Sequence, residues 1–378
     1  MVGVQLKATW MQTKKINGDI IQDRVTKTIN AWKAGKFMPL TMRSRSVNNY
    51  ALSKAWFRCA TVDLRECDIQ ALNKSVKSWL CADLLQKPSE VIMCRPIHHG
   101  GLGLASIRNR AKAALIRTFL ETSANPNFRQ SLLHSNMFRY HVLGDSSLPN
   151  PGFLPYYPPA FFATIRKVHQ DTSLNVCTMS IKEWTKYLTE ENLTMETSIT
   201  NTRQLRPCYA ESLSPDTDWD LSWRLCRLAG LGSDLTSFNF KLLHRLLVTR
   251  ERMHQINPVT SPLCCLCLEA NEDLQHTFIH CVFNQGVGQQ LLTIVQEHLP
   301  AMSAQSLLRL ELPLSADKEF GVIFFTSTIL SHIWNKRMSR SRITLYDIRS
   351  SLEAKCLLLR KTRYERFTQL LQSLLNSL

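Results

Sequence analysis

The spacing of hydrophobic residues along the chain predicts a mainly α-helical protein. Between residues 19 and 32, apolar side chains recur at helical intervals and form one face: Ile20, Ile21, Val25, Ile29 and Trp32. Further amphipathic runs predict helices over residues 41–60, 63–85, 106–122, 219–228 and 237–255. A pattern typical of a strand occurs only in the short opening segment 2–6, so we expect a multi-lobed helical fold.

The longest apolar run, Phe320 to Trp334, predicts a buried helix. It is shorter than the roughly 20 residues that cross a bilayer, and polar residues at 326–328 interrupt it. The opening residues have neither the apolar core nor the cleavage site of a signal peptide. We therefore expect no membrane partner and a reducing compartment, in which cysteines remain thiols or bind metal.

Composition divides the chain into three regions. Residues 149–159 combine prolines with aromatic side chains, which favours an extended connector, and residues 189–217 are mostly polar. These changes predict a helical region over residues 1–90 and a helical connector with a Pro/aromatic stretch over residues 91–215. A third region with a basic helical tail is predicted over residues 216–378.

The chain carries a large excess of positive charge. Its 378 residues include 46 Lys and Arg against 30 Asp and Glu, a formal net charge of +16. Such an excess favours an anionic partner, which is either nucleic acid or an anionic membrane surface. We favour nucleic acid, because the longest apolar run is too short to cross a bilayer and the opening residues do not form a signal peptide. Many basic residues precede residue 60, where only Asp19 and Asp23 oppose them. The competing interpretation is a solvated face that keeps the protein soluble.

One group of residues has the spacing of a metal site, Cys264-x2-Cys267-x8-His276-x4-Cys281. Two cysteines at this spacing grip a metal from one tight turn, and a His and a Cys about one helical turn apart supply two more ligands. A set of three thiolates and one imidazole without a carboxylate is typical of a closed structural zinc site. We therefore predict structural zinc in a small zinc-knuckle loop.

Two ligand positions have alternatives in the sequence. Cys265 is an alternative to Cys264, and His280 is an alternative to His276. A further interpretation is that the group consists of ordinary buried thiols and a surface histidine.

No catalytic motif accompanies the cysteine group. The sequence contains no GxSxG, GxxxxGK[ST] or HExxH. The turn Gly100-Gly101-Leu102-Gly103-Leu104 is not the GxGxxG of dinucleotide-binding proteins, so we interpret it as a turn that opens the next helix.

Residues 242–253 and the cysteine group after them resemble the zinc-knuckle region of LINE-type non-LTR retrotransposon reverse transcriptases. In that family an amphipathic helix of this kind leads into a CxxC…HxxxxC knuckle. A Trp followed by basic residues often comes later, as in Trp334 to Arg337. The resemblance implies that this group holds a structural zinc ion.

The N-terminal region is similar to the thumb of the same family. Residues 2–6 resemble its last palm strand, while residues 29–33, 39–43 and 47–54 follow the order of its thumb helices. A thumb tracks the phosphates of a template–primer duplex, so the resemblance implies RNA or an RNA–DNA hybrid as partner. The basic residues that accompany these helices are the predicted contacts: Lys27, Lys33, Arg43, Arg45 and Lys54.

The sequence departs from the family at the polymerase motif. Polymerisation requires paired aspartates that hold Mg²⁺, and in the family these lie ahead of the thumb in a Phe/Tyr-x-Asp-Asp motif. The sequence contains no Asp-Asp pair. We therefore expect no enzymatic activity from this chain alone, which lacks the catalytic palm and the endonuclease. A palm supplied by another chain would be required.

The resemblance implies a location in the nucleus and cytoplasm. The alternative to a nucleic-acid-binding fragment is an inactive remnant or a protein-interaction scaffold that does not bind nucleic acid. The two functions differ in whether RNA binding saturates and depends on salt.

Overall fold

The computed structural model describes residues 4–7, 10–32, 38–123, 217–228, 230–284, 286–359 and 368–377, with the isolated residues 125–127, 147, 183 and 185. This described part of the chain is helical and contains no strand, so the mainly α-helical prediction is confirmed. Residues 4–6, from the segment that resembles a palm strand, form no strand either. Lys33 and the Pro/aromatic stretch 149–159 lie outside the described residues.

The helices of the described residues are numbered in chain order. They are α1 (Trp10–Ala31), α2 (Leu40–Ser46), α3 (Ser53–Cys59), α4 (Glu66–Leu80), α5 (Glu90–Cys94), α6 (Ile107–Ser123), α7 (Trp219–Cys226), α8 (Gly232–Leu243), α9 (Arg250–Ile256), α10 (Val287–His298), α11 (Ala304–Leu308), α12 (Ala316–Met338), α13 (Leu345–Leu359) and α14 (Thr368–Ser377).

The chain forms two compact units. The first consists of residues 1–38, 43–82 and 103–201, and the second of residues 39–42, 83–102 and 202–378. The limits of the three regions predicted from composition, 1–90, 91–215 and 216–378, stay predictions.

Helices α1, α3, α4 and α6 pack together in the first unit. α1 buries Ile21, Val25 and Ile29, which belong to the apolar face predicted from their spacing. Gly18 lies inside α1. A Cβ atom at this position would come within 2.3 Å of Asp68 Oδ2 on α4. Gly18 therefore allows a close approach between two helices.

The helix predicted over residues 41–60 is interrupted. α2 and α3 are separated by a wider π-type turn at Val47–Ala51. Within this turn the Asn48 amide donates to the Gly103 carbonyl and accepts from the Ala105 amide, both at 2.9 Å. The turn thus fixes the residues that open α6.

Helix α12 is the centre of the second unit. It packs against α7, α8, α10, α13 and α14, and its residues 320–330 are buried. The buried helix predicted from Phe320 to Trp334 is confirmed and extends further at both ends. Among the described residues, no helix combines the length and apolar character needed to cross a membrane.

The single helix predicted over residues 237–255 is two helices, α8 and α9. The chain leaves helical geometry at His244 and Arg245, and Arg245 adopts a φ of 55°. His244 is buried, and its Nε2 atom lies 2.7 Å from the Gly100 carbonyl oxygen. Thr249 then caps α9 by accepting from the Arg252 amide. The break places a histidine where the hydrophobic pattern predicted a continuous helix.

Burial of His244 has a consequence for stability at low pH. Desolvation lowers its pKa to about 3, although its hydrogen bond to Gly100 acts in the opposite direction. An unfolded histidine titrates near pH 6.5, so between these values the unfolded chain binds a proton that the folded chain does not. We expect this group alone to lower the free energy of unfolding by about 2 kcal/mol between pH 7.5 and pH 5.

Urea unfolding at several pH values measures this effect. In His244→Gln the fall in stability between pH 7.5 and pH 5 is expected to be smaller than in the wild type by about 2 kcal/mol. Equal pH dependence in the two proteins would show that His244 does not titrate as its burial requires. Zinc ligands are present in both proteins, so their titration cancels in the comparison.

Candidate metal centre

The cysteine group lies in a tight turn between α9 and α10. The Cys264 amide donates to the Ala270 carbonyl at 2.8 Å, and the Leu268 amide donates back to the Cys264 carbonyl at 3.0 Å. An antiparallel bridge between Leu263 and Asn271 closes the turn at its base. Leu268 adopts a φ of 62°, a left-handed conformation in which the chain reverses direction.

The structure brings the predicted ligands together. One ligand atom from each of four residues lies within 4.8 Å of the others: Cys264, Cys267, His276 and Cys281. The Cys264 and Cys281 sulfurs are 3.8 Å apart, and the Cys267 sulfur is 3.3 Å from His276 Nε2. In a tetrahedral site with Zn–S bonds near 2.3 Å, neighbouring sulfurs are about 3.8 Å apart. The donor set therefore fits zinc.

The alternative ligands have other neighbours. The Cys265 sulfur lies 3.5 Å from Glu272 Oε1, and His280 Nδ1 lies 3.5 Å from the Gln289 amide nitrogen. Neither residue contributes an atom to the cluster of four. The geometry therefore favours Cys264 over Cys265 and His276 over His280.

The Cys264 thiol is prepared for deprotonation. A hydrogen bond from the Cys281 thiol lowers the pKa of Cys264 to about 5, and the same bond raises the pKa of Cys281. The Leu266 amide also points at the Cys264 sulfur from 3.4 Å. Metal binding requires thiolates, so zinc would displace protons from this pair.

The set of three thiolates and one imidazole leaves no open coordination position. A closed site of this kind contributes folding free energy to a loop that has little core of its own. Cys264 and Cys281 would hold zinc from buried positions, while Cys267 and His276 are half-buried. The site is structural in its chemistry.

A buried ion pair next to the cluster was not found from the sequence. Glu272 is fully buried, and its two carboxylate oxygens accept from Arg337 Nε at 3.1 Å and Nη2 at 2.6 Å. The same carboxylate accepts from the Arg250 amide at 2.7 Å. Burial alone would raise the pKa of Glu272, but the bonds and charge of Arg337 outweigh it and lower that pKa. The pair ties the turn to α12.

Two of the predicted nucleic-acid contacts share one groove. Lys27 on α1 and Lys54 on α3 line it, together with Arg24, Thr28 and Trp32. The Lys27 side chain is 77% exposed and pairs with Asp23 at 2.9 Å. Lys54 donates to the Thr28 hydroxyl at 2.7 Å. Both ammonium groups therefore lie at the surface of the first unit.

The other predicted contacts have different positions. Arg45 on α2 is exposed. Arg43 is buried, and its guanidinium donates to the carbonyls of Met38 at 2.8 Å and Leu80 at 2.7 Å. Its charge thus satisfies backbone acceptors inside the fold, so the surface role predicted for Arg43 is corrected to a structural one. Lys33 is outside the described residues.

Comparison with known proteins gives one family for the region around the cluster. Residues 208–287 match the family described as zinc-binding in reverse transcriptase. No curated protein matches the chain. The matched segment contains all four clustered ligands, and the prediction of zinc as cofactor is confirmed by the match and the geometry together. Residues 208–287 are therefore similar to the zinc-binding region of reverse transcriptases.

Proposed function

We propose that this chain binds RNA or an RNA–DNA hybrid as the non-catalytic part of a LINE-type reverse transcriptase. The observation that carries the proposal is the assembled Cys₃His cluster within a segment that matches the zinc-binding region of reverse transcriptases. The exposed lysines of the first unit and the net charge of +16 support an anionic partner.

In this proposal the chain contributes no polymerase aspartates of its own. A palm on another chain would supply the Mg²⁺-binding carboxylates, and the protein would act in the nucleus and cytoplasm. Mixing the chain with such a palm and measuring DNA synthesis on an RNA template tests this part.

Fluorescence anisotropy with a structured RNA across a salt series tests the binding itself. Phosphate contacts release counterions, so the affinity is expected to fall steeply and linearly on logarithmic axes as salt rises. A Cys267→Ser/Cys281→Ser variant separates two routes to binding. Weaker binding in the variant would indicate that the zinc-organised turn contributes, whereas unchanged binding would restrict the contact to basic helices. A chain without saturable binding would be an inactive remnant or a scaffold.

The lysines of the groove should contribute directly to the salt dependence. Each phosphate contact accounts for about 0.7 to 0.9 of the logarithmic salt slope, so Lys27→Ala/Lys54→Ala should reduce the slope by about 1 to 2. Lys87→Ala is the matched control, because Lys87 is also exposed but lies in the second unit. Equal slopes for the wild type and the double variant would exclude these lysines as phosphate contacts.

A further inference from the structure

The groove between α1 and α3 combines positive charge with aromatic surface. It is an open surface depression of about 690 Å³, lined by Arg24, Lys27, Thr28, Ala31, Trp32 and Lys54. None of the described side chains that line it is acidic. A volume of this size accommodates a nucleotide-sized group, because small-molecule sites fall between about 300 and 1,000 Å³.

One lining residue of the groove, Trp32, belongs to a cluster of aromatic rings. Trp32 is half-buried, and its ring packs at 5.2 Å against Trp79. Tyr50 meets Trp32 edge-on at 6.5 Å but is 64% exposed. The Trp79 indole nitrogen donates to the Trp32 carbonyl at 3.2 Å, which fixes the pair. The groove thus has a rigid aromatic wall and an exposed ring beside it.

A second exposed ring lies near the lysine of α3. Phe57 follows Lys54 by three residues, a spacing that makes the two neighbours on a helix surface. Phe57 is 63% exposed. Phe57 therefore adds exposed apolar surface beside the lysine of the groove.

The positive charge of the groove is only weakly compensated. Asp23 pairs with Lys27, but both side chains are more than half exposed, and such pairs contribute little and are screened by salt. Lys54 is held by a hydroxyl group. The Arg58 side chain of α3 is buried, and burial together with the charge of Arg24, which lines the groove, lowers its pKa. An anion entering the groove would relieve this crowding of like charge.

We propose that the groove binds unpaired nucleotides of an RNA strand, with the bases stacked on Tyr50 and Trp32 and the phosphates paired with Lys27, Lys54 and Arg24. Proteins that hold single strands combine a basic groove with aromatic platforms in this way. The bases of a duplex are stacked on one another, so their faces are not accessible to Tyr50 and Trp32. A duplex would therefore contact only the positively charged side chains of the groove. The inference rests on the proposed RNA binding and adds the preferred form of RNA.

The test compares two RNA probes that share one strand. The first is an unstructured strand of about 12 nucleotides with alternating A and C, a length within the range that single-strand sites cover. The second is the same strand annealed to its complement. Fluorescence anisotropy gives the affinity of each probe, and 2-aminopurine in place of one A reports whether a base stacks on protein.

Tyr50→Ala should weaken binding of the single strand by about five-fold or more and leave duplex binding within about two-fold, because one stacked base is lost. Tyr50→Phe keeps the ring and should restore the single-strand affinity and the 2-aminopurine quenching. Tyr346→Ala is the matched control, since Tyr346 is 80% exposed and lies in the second unit. Tyr50 is largely exposed, so its replacement should leave the fold intact, as circular dichroism would check.

Any of three other outcomes would overturn the inference. In one outcome, RNA binding depends on salt, but Tyr50→Ala weakens it no more than Tyr346→Ala does. This result would refute base stacking on Tyr50 and would leave the proposed RNA binding intact. Equal losses for both probes would assign Tyr50 to a general contact. Absence of saturable binding to either probe in the wild type would refute the proposed function together with this inference.

Discussion

Replacing Glu272 with alanine is expected to reduce the free energy of unfolding of the second unit by about 3 to 5 kcal/mol. The substitution would leave the Arg337 guanidinium buried without its carboxylate, and an uncompensated buried charge is costly. It would also remove the acceptor of the Arg250 amide at the start of α9. Both losses act on the turn that carries the metal ligands.

A double-mutant cycle separates the interaction energy of the ion pair from the free-energy cost of burying each charged side chain. Glu272→Leu/Arg337→Met removes both charges, so it should be less destabilising than either single change, because buried ion pairs are often replaced by apolar residues at little cost. Urea unfolding of the zinc-loaded protein measures each variant. The coupling energy from the cycle then gives the interaction between the two side chains.

An exposed ion pair provides the control. Asp23→Ala removes the partner of Lys27 on the surface of α1, where we expect a change below about 1 kcal/mol. If Glu272→Ala cost no more than Asp23→Ala, the buried pair would not hold the turn to α12. The bidentate geometry, at 3.1 and 2.6 Å, is the reason to expect the large difference.

The metal cluster could be predicted because its four ligands lie close together in the sequence. The CxxC spacing and the later His and Cys impose a tight turn, and the structure closes that turn with the bond from the Cys264 amide to Ala270. The choice between Cys264 and Cys265 was not local. Both sulfurs contact the Glu272 carboxylate, and the choice depends on which of them also lies close to the Cys281 sulfur, as that of Cys264 does at 3.8 Å.

The role of Arg43 could not be predicted from its charge. A run of basic residues predicts an exposed face only when helix orientation is known, and the orientation follows from packing between distant segments. Arg43 lies on the inner side of α2, where the Leu80 carbonyl at the end of α4 accepts its hydrogen bond. Lys27, four residues after Asp23 on α1, has the same charge but faces solvent.

The break between α8 and α9 is a second feature that could not be predicted from the local sequence. Leu246 and Leu247 are buried and continue the hydrophobic pattern of α8, so periodicity predicts one helix. At the turn, His244 contacts the carbonyl of Gly100, a residue far away in the sequence. The glycine matters here: Gly100 has a φ of 78°, and a Cβ atom would lie 2.4 Å from the Trp223 ring. Such a contact has no signature in the local pattern.

Removing the metal should have an effect at least as large as breaking the ion pair. Structural zinc contributes about 10 to 16 kcal/mol of apparent binding free energy in small zinc-binding peptides at neutral pH, and that energy stabilises the loop that the metal closes. Few apolar side chains are buried between residues 257 and 275, so this loop has little else to hold it. We expect a chelator to unfold this loop and to free Glu272 and Arg337 from each other.

Hydrogen–deuterium exchange and native mass spectrometry measure this prediction. The wild type should carry one zinc ion, and chelation should increase exchange over residues 257–284 and at the end of α12, while α1 of the first unit should remain protected.

Cys267→Ser should lose the zinc and reproduce the exchange pattern of the chelated protein. Cys265→Ser and His280→Gln are matched controls that should keep zinc, because their side chains lie outside the cluster. Loss of zinc in a control variant would move the ligand assignment to the neighbouring residue. Unchanged exchange after chelation would mean that the bonds of the turn and the Glu272–Arg337 pair suffice to fold it without metal.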